Sequence, residues 1–167
     1  MRSVLFIRHA KSSWDDPLMS DFDRPLNERG KKDASQMAKY LFQKDISIDY
    51  FISSPAKRAK RTALYFINEY GLKEDDIVLK SELYLPTEKV FFDVVEAAPD
   101  NVNHIAIFSH NPAITNLVNL LTNKIRVDDV PTCGIFGVKA NITQWKDFTK
   151  APKEFWFFDY PKNHKDL

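Results

Sequence analysis

The stretch VLFIRHA, residues 4–10, decides how the rest of the sequence is read. Val4 to Ile7 is an unbroken apolar run, the pattern of a strand buried on both faces of a sheet. Within one residue it turns into Arg8-His9. Charged groups are seldom buried unless they are paired or bind something charged. A guanidinium and an imidazole at the end of a buried strand therefore mark that strand end as a place where a charged group binds.

Working outward, the same pattern recurs twice. Tyr50 to Ser53 reads as a short strand that runs into Ser54-Pro55-Ala56-Lys57-Arg58. Pro55 is expected to open a helix with Ala59, Ala63, Phe66 and Ile67 on its inner face, which places Arg58 in the first turn. His104 to Phe108 reads as a strand that ends in Ser109-His110-Asn111-Pro112. A helix with Ile114, Leu117, Val118 and Leu121 inward follows, with Asn111 expected as its cap. Residues 10–26 are polar, contain Pro17 and Pro25, and read as a loop. Asn27 is a good N-cap for a helix reaching about Gln43, with Ala34, Met37, Ala38 and Leu41 at helical spacing. Ile77 to Leu79 is a short strand and Thr87 to Ala97 a helix. Gly134 to Val138 and Glu154 to Phe158 form a late hairpin. Strands alternating with helices predict an α/β fold over residues 1–167 as one domain. The expected form is a three-layer α/β/α sandwich with a mostly parallel sheet and an antiparallel edge. In such sheets ligands bind outside the carboxyl ends of the strands.

Composition narrows the partners. A formal net charge of +1 over 167 residues supplies no global basic field of the kind that gathers nucleic acid. The aromatic run near Trp156 is read as packing rather than base stacking, because no basic groove accompanies it. The single cysteine, Cys133, excludes an internal disulfide and a multi-cysteine metal site. The apolar run at the N-terminus is too short for a signal peptide or a membrane span, and no other stretch approaches about 18 apolar residues. These features predict a soluble, cytoplasmic protein with no membrane or nucleic-acid partner.

If the three strands are parallel, their ends converge on one sheet edge. Arg8, His9, Arg58 and His110 then meet beside two helix N-termini. Arginine forks bind phosphate oxygens bidentately, and helix N-termini add N–H donors and partial positive charge. An imidazole in such a pocket can attack phosphorus and divide one hard step into two. Lys11 and Ser12, just beyond His9, are candidate substrate contacts, as is Asn111. Arg24 is read as the partner of Asp21 or Asp23 in preference to a phosphate contact.

Arg8-His9-Ala10-Lys11-Ser12, Ser53-Ser54-Pro55 followed by Arg58-Ala59, and Ser109-His110-Asn111-Pro112, in that order, resemble the histidine phosphatase superfamily. The His-Ala-Lys-Ser-Ser-Trp start and Arg24-Pro25-Leu26-Asn27-Glu28-Arg29-Gly30 are most similar to the SixA-like phosphohistidine phosphatases. The resemblance implies a phosphoglycerate mutase-like fold, a phosphorylated nucleophile at His9, and phosphoryl oxygens held by Arg8, Arg58 and His110. It implies no metal and no organic cofactor. The substrate it implies is a phosphohistidine protein or related phosphoramidate. The alternatives are a small-molecule phosphomonoesterase with the same site and, further off, an inactive phosphoprotein-binding module. Many members carry an acidic residue after the second helix as general acid. Here the segment reads Ser81-Glu82-Leu83-Tyr84-Leu85-Pro86, and Glu82, slightly upstream of the matching position, is the candidate.

Overall fold

The computed structural model describes residues 1–164. Strands β1 (Arg2–Arg8), β2 (Tyr50–Ser53), β3 (Ile77–Leu79) and β4 (His104–Ser109) pair in parallel, while β5 (Ile135–Ala140) and β6 (Lys153–Asp159) pair antiparallel. They form one sheet in the order β3-β2-β4-β1-β5-β6. This is the expected parallel sheet with an antiparallel edge. Its right side is the late hairpin, bulged between Gly137 and Val138.

Alternation along β1 shows why the sheet is sandwiched. Val4 and Phe6 face one core, shared with α3 (Glu88–Glu96) and α4 (Ala113–Leu121). Leu5 and Ile7 face the other, shared with α1 (Glu28–Gln43) and α2 (Lys57–Glu69). Both faces are covered, so every β1 residue from Val4 to Ile7 must be apolar, as the sequence has it. Phe6, Phe66, Phe91, Phe108 and Phe136 are all fully buried. At about 1.5–3 kcal/mol per fully buried large apolar side chain, the two cores supply the main force that holds the strand ends in place.

Two helix starts differ from expectation. α2 begins at Lys57, two residues after Pro55; Ala56 is its N-cap and has no side-chain cap bond. The Ser54 hydroxyl intervenes by accepting the Ala56 N–H at 3.2 Å, which prolongs the turn. α4 begins at Ala113 with Pro112 at the cap position. Asn111 still caps the helix from one residue further out, its Oδ1 accepting the Thr115 N–H at 3.1 Å and the Thr115 hydroxyl at 2.9 Å. Elsewhere the local chemistry acts as expected: the Asn27 side chain accepts the Gly30 N–H at 2.8 Å and starts α1.

Gly30 packs the first turn of α1 against the chain leaving the active end of β1. A Cβ there would lie 2.0 Å from the Lys11 carbonyl oxygen, so only glycine permits the approach. The Lys11 carbonyl in turn accepts the Asn27 N–H at 3.0 Å. α1 is thereby locked to the segment that follows His9.

Candidate active site

Parallel register brings the motifs together. Arg8 lies opposite Ser109, and Ser53 opposite Phe108, so the residues just beyond β1, β2 and β4 leave the sheet at the same level. The His9 N–H donates to the Ser109 carbonyl at 3.1 Å, and the Ser54 N–H to the Phe108 carbonyl at 2.9 Å. The His9 carbonyl accepts the Cys133 N–H at 3.0 Å. Cys133 makes this bond with φ at 60°, in the left-handed region. The peptide of His9 is therefore held from both sides by main chain.

Four predicted residues meet here. His9, Arg58 and His110 are buried. The rings of His9 and His110 lie 5.3 Å apart between centroids. Arg58 Nε donates to His9 Nε2 at 3.4 Å. His9 Nδ1 lies 2.7 Å from the Ala10 carbonyl oxygen. A carbonyl can only accept, so Nδ1 carries the proton and the lone pair is on Nε2, the nitrogen that faces Arg58. Burial holds the His9 pKa down to about 3, with His110, Arg58 and Arg8 adding to the effect against the Ala10 bond. His110 is likewise lowered to about 3 by burial and then by Arg58. Both rings are neutral at pH 7.

The cationic side chains have structural anchors and free donors. Arg8 Nη1 donates to the Val130 carbonyl at 2.8 Å and lies 3.7 Å from the Asp129 carboxylate. Its Nε is buried and unpartnered, as is His110 Nδ1. Buried polar atoms are almost always hydrogen-bonded, so these two unpaired ones leave Arg8 and His110 with free hydrogen-bonding capacity. His110 Nε2 is 2.8 Å from the Ser54 hydroxyl.

The other predicted contacts divide. Ser12 is buried, and its hydroxyl accepts from Arg24 Nη1. Lys11 is exposed two residues beyond His9. Asn111 has its amide nitrogen on the Asp129 carboxylate and the Val130 carbonyl, and its oxygen on Thr115, so its side chain is committed to the scaffold. Glu82 does not join the cradle. Leu83 is the buried residue of its 3₁₀ turn (Ser81–Leu83), and the Leu83 carbonyl accepts the Ser109 hydroxyl at 2.7 Å. Glu82, one residue earlier, turns out to an exposed indentation with Lys80, Val90 and Asp93.

Four residues escaped the sequence reading. Ser54 orients His110. Thr62 accepts the Ala10 N–H at 2.9 Å and donates to the Arg58 carbonyl at 2.7 Å, tying α2 to the His9 turn. Its spacing of four from Arg58 places it on the same helix face, a signal present in the sequence. Asp21 and Tyr84 come from separate loops. Asp21 accepts from Arg58 Nη2 at 3.1 Å and, through its backbone carbonyl, from Arg58 Nη1 at 2.6 Å. The Tyr84 hydroxyl donates to Asp21 at 2.6 Å, and its ring stands edge-on to His110 at 5.6 Å. Arg24 pairs with Asp21 at 3.2 Å, as preferred from sequence. Among the described residues no group of three or more His, Cys, Asp or Glu is arranged to hold a metal ion, and no helix is long and apolar enough to cross a membrane.

Residues 4–83 match the family model of the histidine phosphatase superfamily (branch 1). The Bacillus subtilis phosphatase PhoE is 40% identical over 72 residues, 42% of this chain and 36% of PhoE. The chain spans about a third of the length of the curated relatives it matches in this way. The structure of the protein histidine phosphatase SixA complexed with tungstate superposes with a TM-score of 0.81 at 22% identity, covering 98% of this chain and 99% of that one. A mycobacterial glucosyl-3-phosphoglycerate phosphatase superposes with a TM-score of 0.67 at 12% identity, covering 96% of this chain and 98% of that one. At these identities the likeness to both is one of fold. The family match, in contrast, begins on the strand that delivers Arg8 and His9, passes through Arg58, and ends on the turn that receives the Ser109 hydroxyl; over residues 4–83 the chain is similar to the histidine phosphatase superfamily.

Proposed function

We propose that this chain is a metal-independent cytoplasmic phosphatase. It removes the phosphoryl group from phosphohistidine, in a protein or a related phosphoramidate, through a covalent intermediate on His9, with residues 1–167 acting as one domain. The observation that carries the reading is the state of His9: neutral through burial, protonated on Nδ1 by the Ala10 carbonyl, with the Nε2 lone pair directed into a cationic cradle.

In the first step Nε2 forms the new N–P bond while the bond from phosphorus to the leaving group breaks. The electron pair of the old bond stays on the leaving atom. Arg8, Arg58 and His110 hold the three equatorial oxygens, whose charge is what such a transition state must stabilise. Arg8 Nε and His110 Nδ1 are the free groups available for this. In the second step a water oxygen bonds to phosphorus while the Nε2–P bond breaks and its electron pair returns to Nε2; one water proton is lost to solvent or phosphate, and neutral His9 is restored. A departing imidazole, with a reference pKa of about 6.5, leaves far more readily than an alkoxide, which favours phosphohistidine where no carboxylic acid stands ready to donate.

Quenching the reaction at alkaline pH with labelled phosphohistidine protein tests this. Label on His9 in the parent chain, and loss of both label and turnover in a folded His9→Ala, are the expected results. Turnover without a phosphoenzyme overturns the covalent route. An alkyl phosphate turned over as well as phosphohistidine moves the site to the phosphomonoesterase reading.

A further inference from the structure

Asp21 sits at the mouth of a site built for anions, and a carboxylate there repels phosphorylated substrates in general. It is nonetheless firmly built in. Oδ2 accepts from Arg58 Nη2 at 3.1 Å and from the Tyr84 hydroxyl at 2.6 Å, and Oδ1 accepts from Arg24 Nε at 3.3 Å and Nη2 at 3.2 Å. The charged and titratable groups around it are Arg58 on α2, Arg24 and Asp23 on its own segment, Tyr84 on the facing loop, and His110 beyond. The Tyr84 bond, with Arg58 and Arg24, holds its pKa near 2 despite some burial, so it is ionised at every working pH. Its side chain is 47% exposed, so solvent and substrate reach it. Arg58 and Arg24 are charged and tightly paired; the neutral Tyr84 hydroxyl is the exchangeable donor of the set.

We propose that Asp21 is a specificity-determining residue: Oδ2 exchanges the Tyr84 hydroxyl for the ring N–H of a protonated phosphoimidazole, and so selects a leaving group that departs neutral from a cation. This rests on the phosphohistidine reading above. In that substrate one ring nitrogen bears the phosphoryl group and the other bears a proton. His9 Nε2 bonds to phosphorus, the old N–P bond breaks, and its electron pair stays on the departing nitrogen and cancels the ring charge. The ring leaves as neutral imidazole and keeps the proton of the N–H that donates to Asp21, so no proton has to move as the bond breaks. A nearby carboxylate favours the protonated ring. Phosphate esters offer no such N–H, and their departing oxygen gains negative charge beside Asp21.

Asp21→Asn removes the charge and keeps the backbone carbonyl that anchors Arg58. kcat/KM is measured from about pH 5.5 to about pH 9 on a phosphohistidine peptide and on an aryl phosphate. The expected loss on phosphohistidine is about 10–10² at alkaline pH, the size of a hydrogen bond to a charged group, and it shrinks towards acid pH, where the substrate protonates unaided. Aryl phosphate turnover does not follow that pH trend. A parallel loss on both substrates at every pH overturns the proposal and leaves Asp21 as a positioning residue for Arg58. Tyr84→Phe frees Oδ2, and the phosphohistidine-to-aryl ratio should rise by about 2–10-fold; an unchanged or lower ratio also overturns it. If the parent prefers esters to phosphohistidine throughout, the proposed function fails. If the parent prefers phosphohistidine and Asp21→Asn keeps that preference, only the assignment of Asp21 fails.

Discussion

The residues just beyond β1, β2 and β4 are tied to one another by main-chain bonds from one strand to the next, whereas Asp21 and Tyr84, on the loops that face them, are tied to the site through side chains. His9 hangs from the Ser109 carbonyl and the Cys133 N–H. Asp21 hangs from Arg58, Arg24 and Tyr84. The first arrangement is fixed once the sheet forms. The second exists only if particular loop residues find one another. Under the proposed function, chemistry common to any phosphoryl transfer would belong to the strand ends, and the choice of leaving group to the mouth.

Breaking the cradle should have the largest effect. Arg58→Ala removes the donor nearest His9 Nε2 and the anchor of Asp21 together, and turnover should fall by about 10²–10³ on every substrate. Steady-state kinetics on phosphohistidine and aryl phosphate check it; a loss confined to one of them would mean that Arg58 belongs to the mouth.

The cradle should also set the acid stability. His9 and His110 are lowered to about 3 in the folded chain, against about 6.5 when unfolded. Between those values the unfolded chain binds protons that the folded chain refuses, so stability is full above about pH 6.5 and falls as pH drops towards about 3. At about pH 5 each ring costs on the order of 1–2 kcal/mol. Thermal melts of the parent and His9→Asn at neutral and acid pH should show a shallower acid loss in the variant. Equal slopes would mean that His9 is not the buried neutral group described here.

The smallest effect sharpens the boundary of the mouth. Glu82→Gln should change turnover on phosphohistidine by less than about twofold, as for an exposed side chain outside the site. A general acid would cost about 10²–10⁴, so a large loss in the same kinetic assay would bring the 81–83 turn into the chemistry.

The same contrast explains what could be read from the sequence. The apolar run Val4–Ile7 can only be a strand buried on both faces, and once three such runs are parallel their polar ends must meet. Arg8, His9 and His110 follow from that, while Arg58 is picked out from Lys57, Lys60 and Arg61 by its offset from Ser53-Ser54-Pro55. The link between Thr62 and Ala10 was within reach, because helical spacing puts Thr62 beside Arg58. Asp21 and Tyr84 were not: 63 positions separate them, and neither loop has a period that fixes where its side chains go. Glu82 was misplaced for a related reason. In a 3₁₀ turn one residue of offset changes the face, and Leu83 takes the inner position. The hairpin aromatics depart from strict strand alternation: Phe155 and Phe158 pack on one core and Trp156 and Phe157 on the other, because the bulge sets Phe157 opposite Gly137 and Phe155 opposite Val138 with Trp156 as the extra residue.

The two bonds that clasp the His9 peptide carry a consequence for how such chains diverge. Donor and acceptor are peptide groups, from Ser109 and Cys133, and almost any residue that keeps the backbone path would supply them equally well. Mutation can then rewrite most side chains around the His9 imidazole without displacing its peptide, so the place of that ring is set by hydrogen-bond topology while the letters of the sequence are free to drift around it.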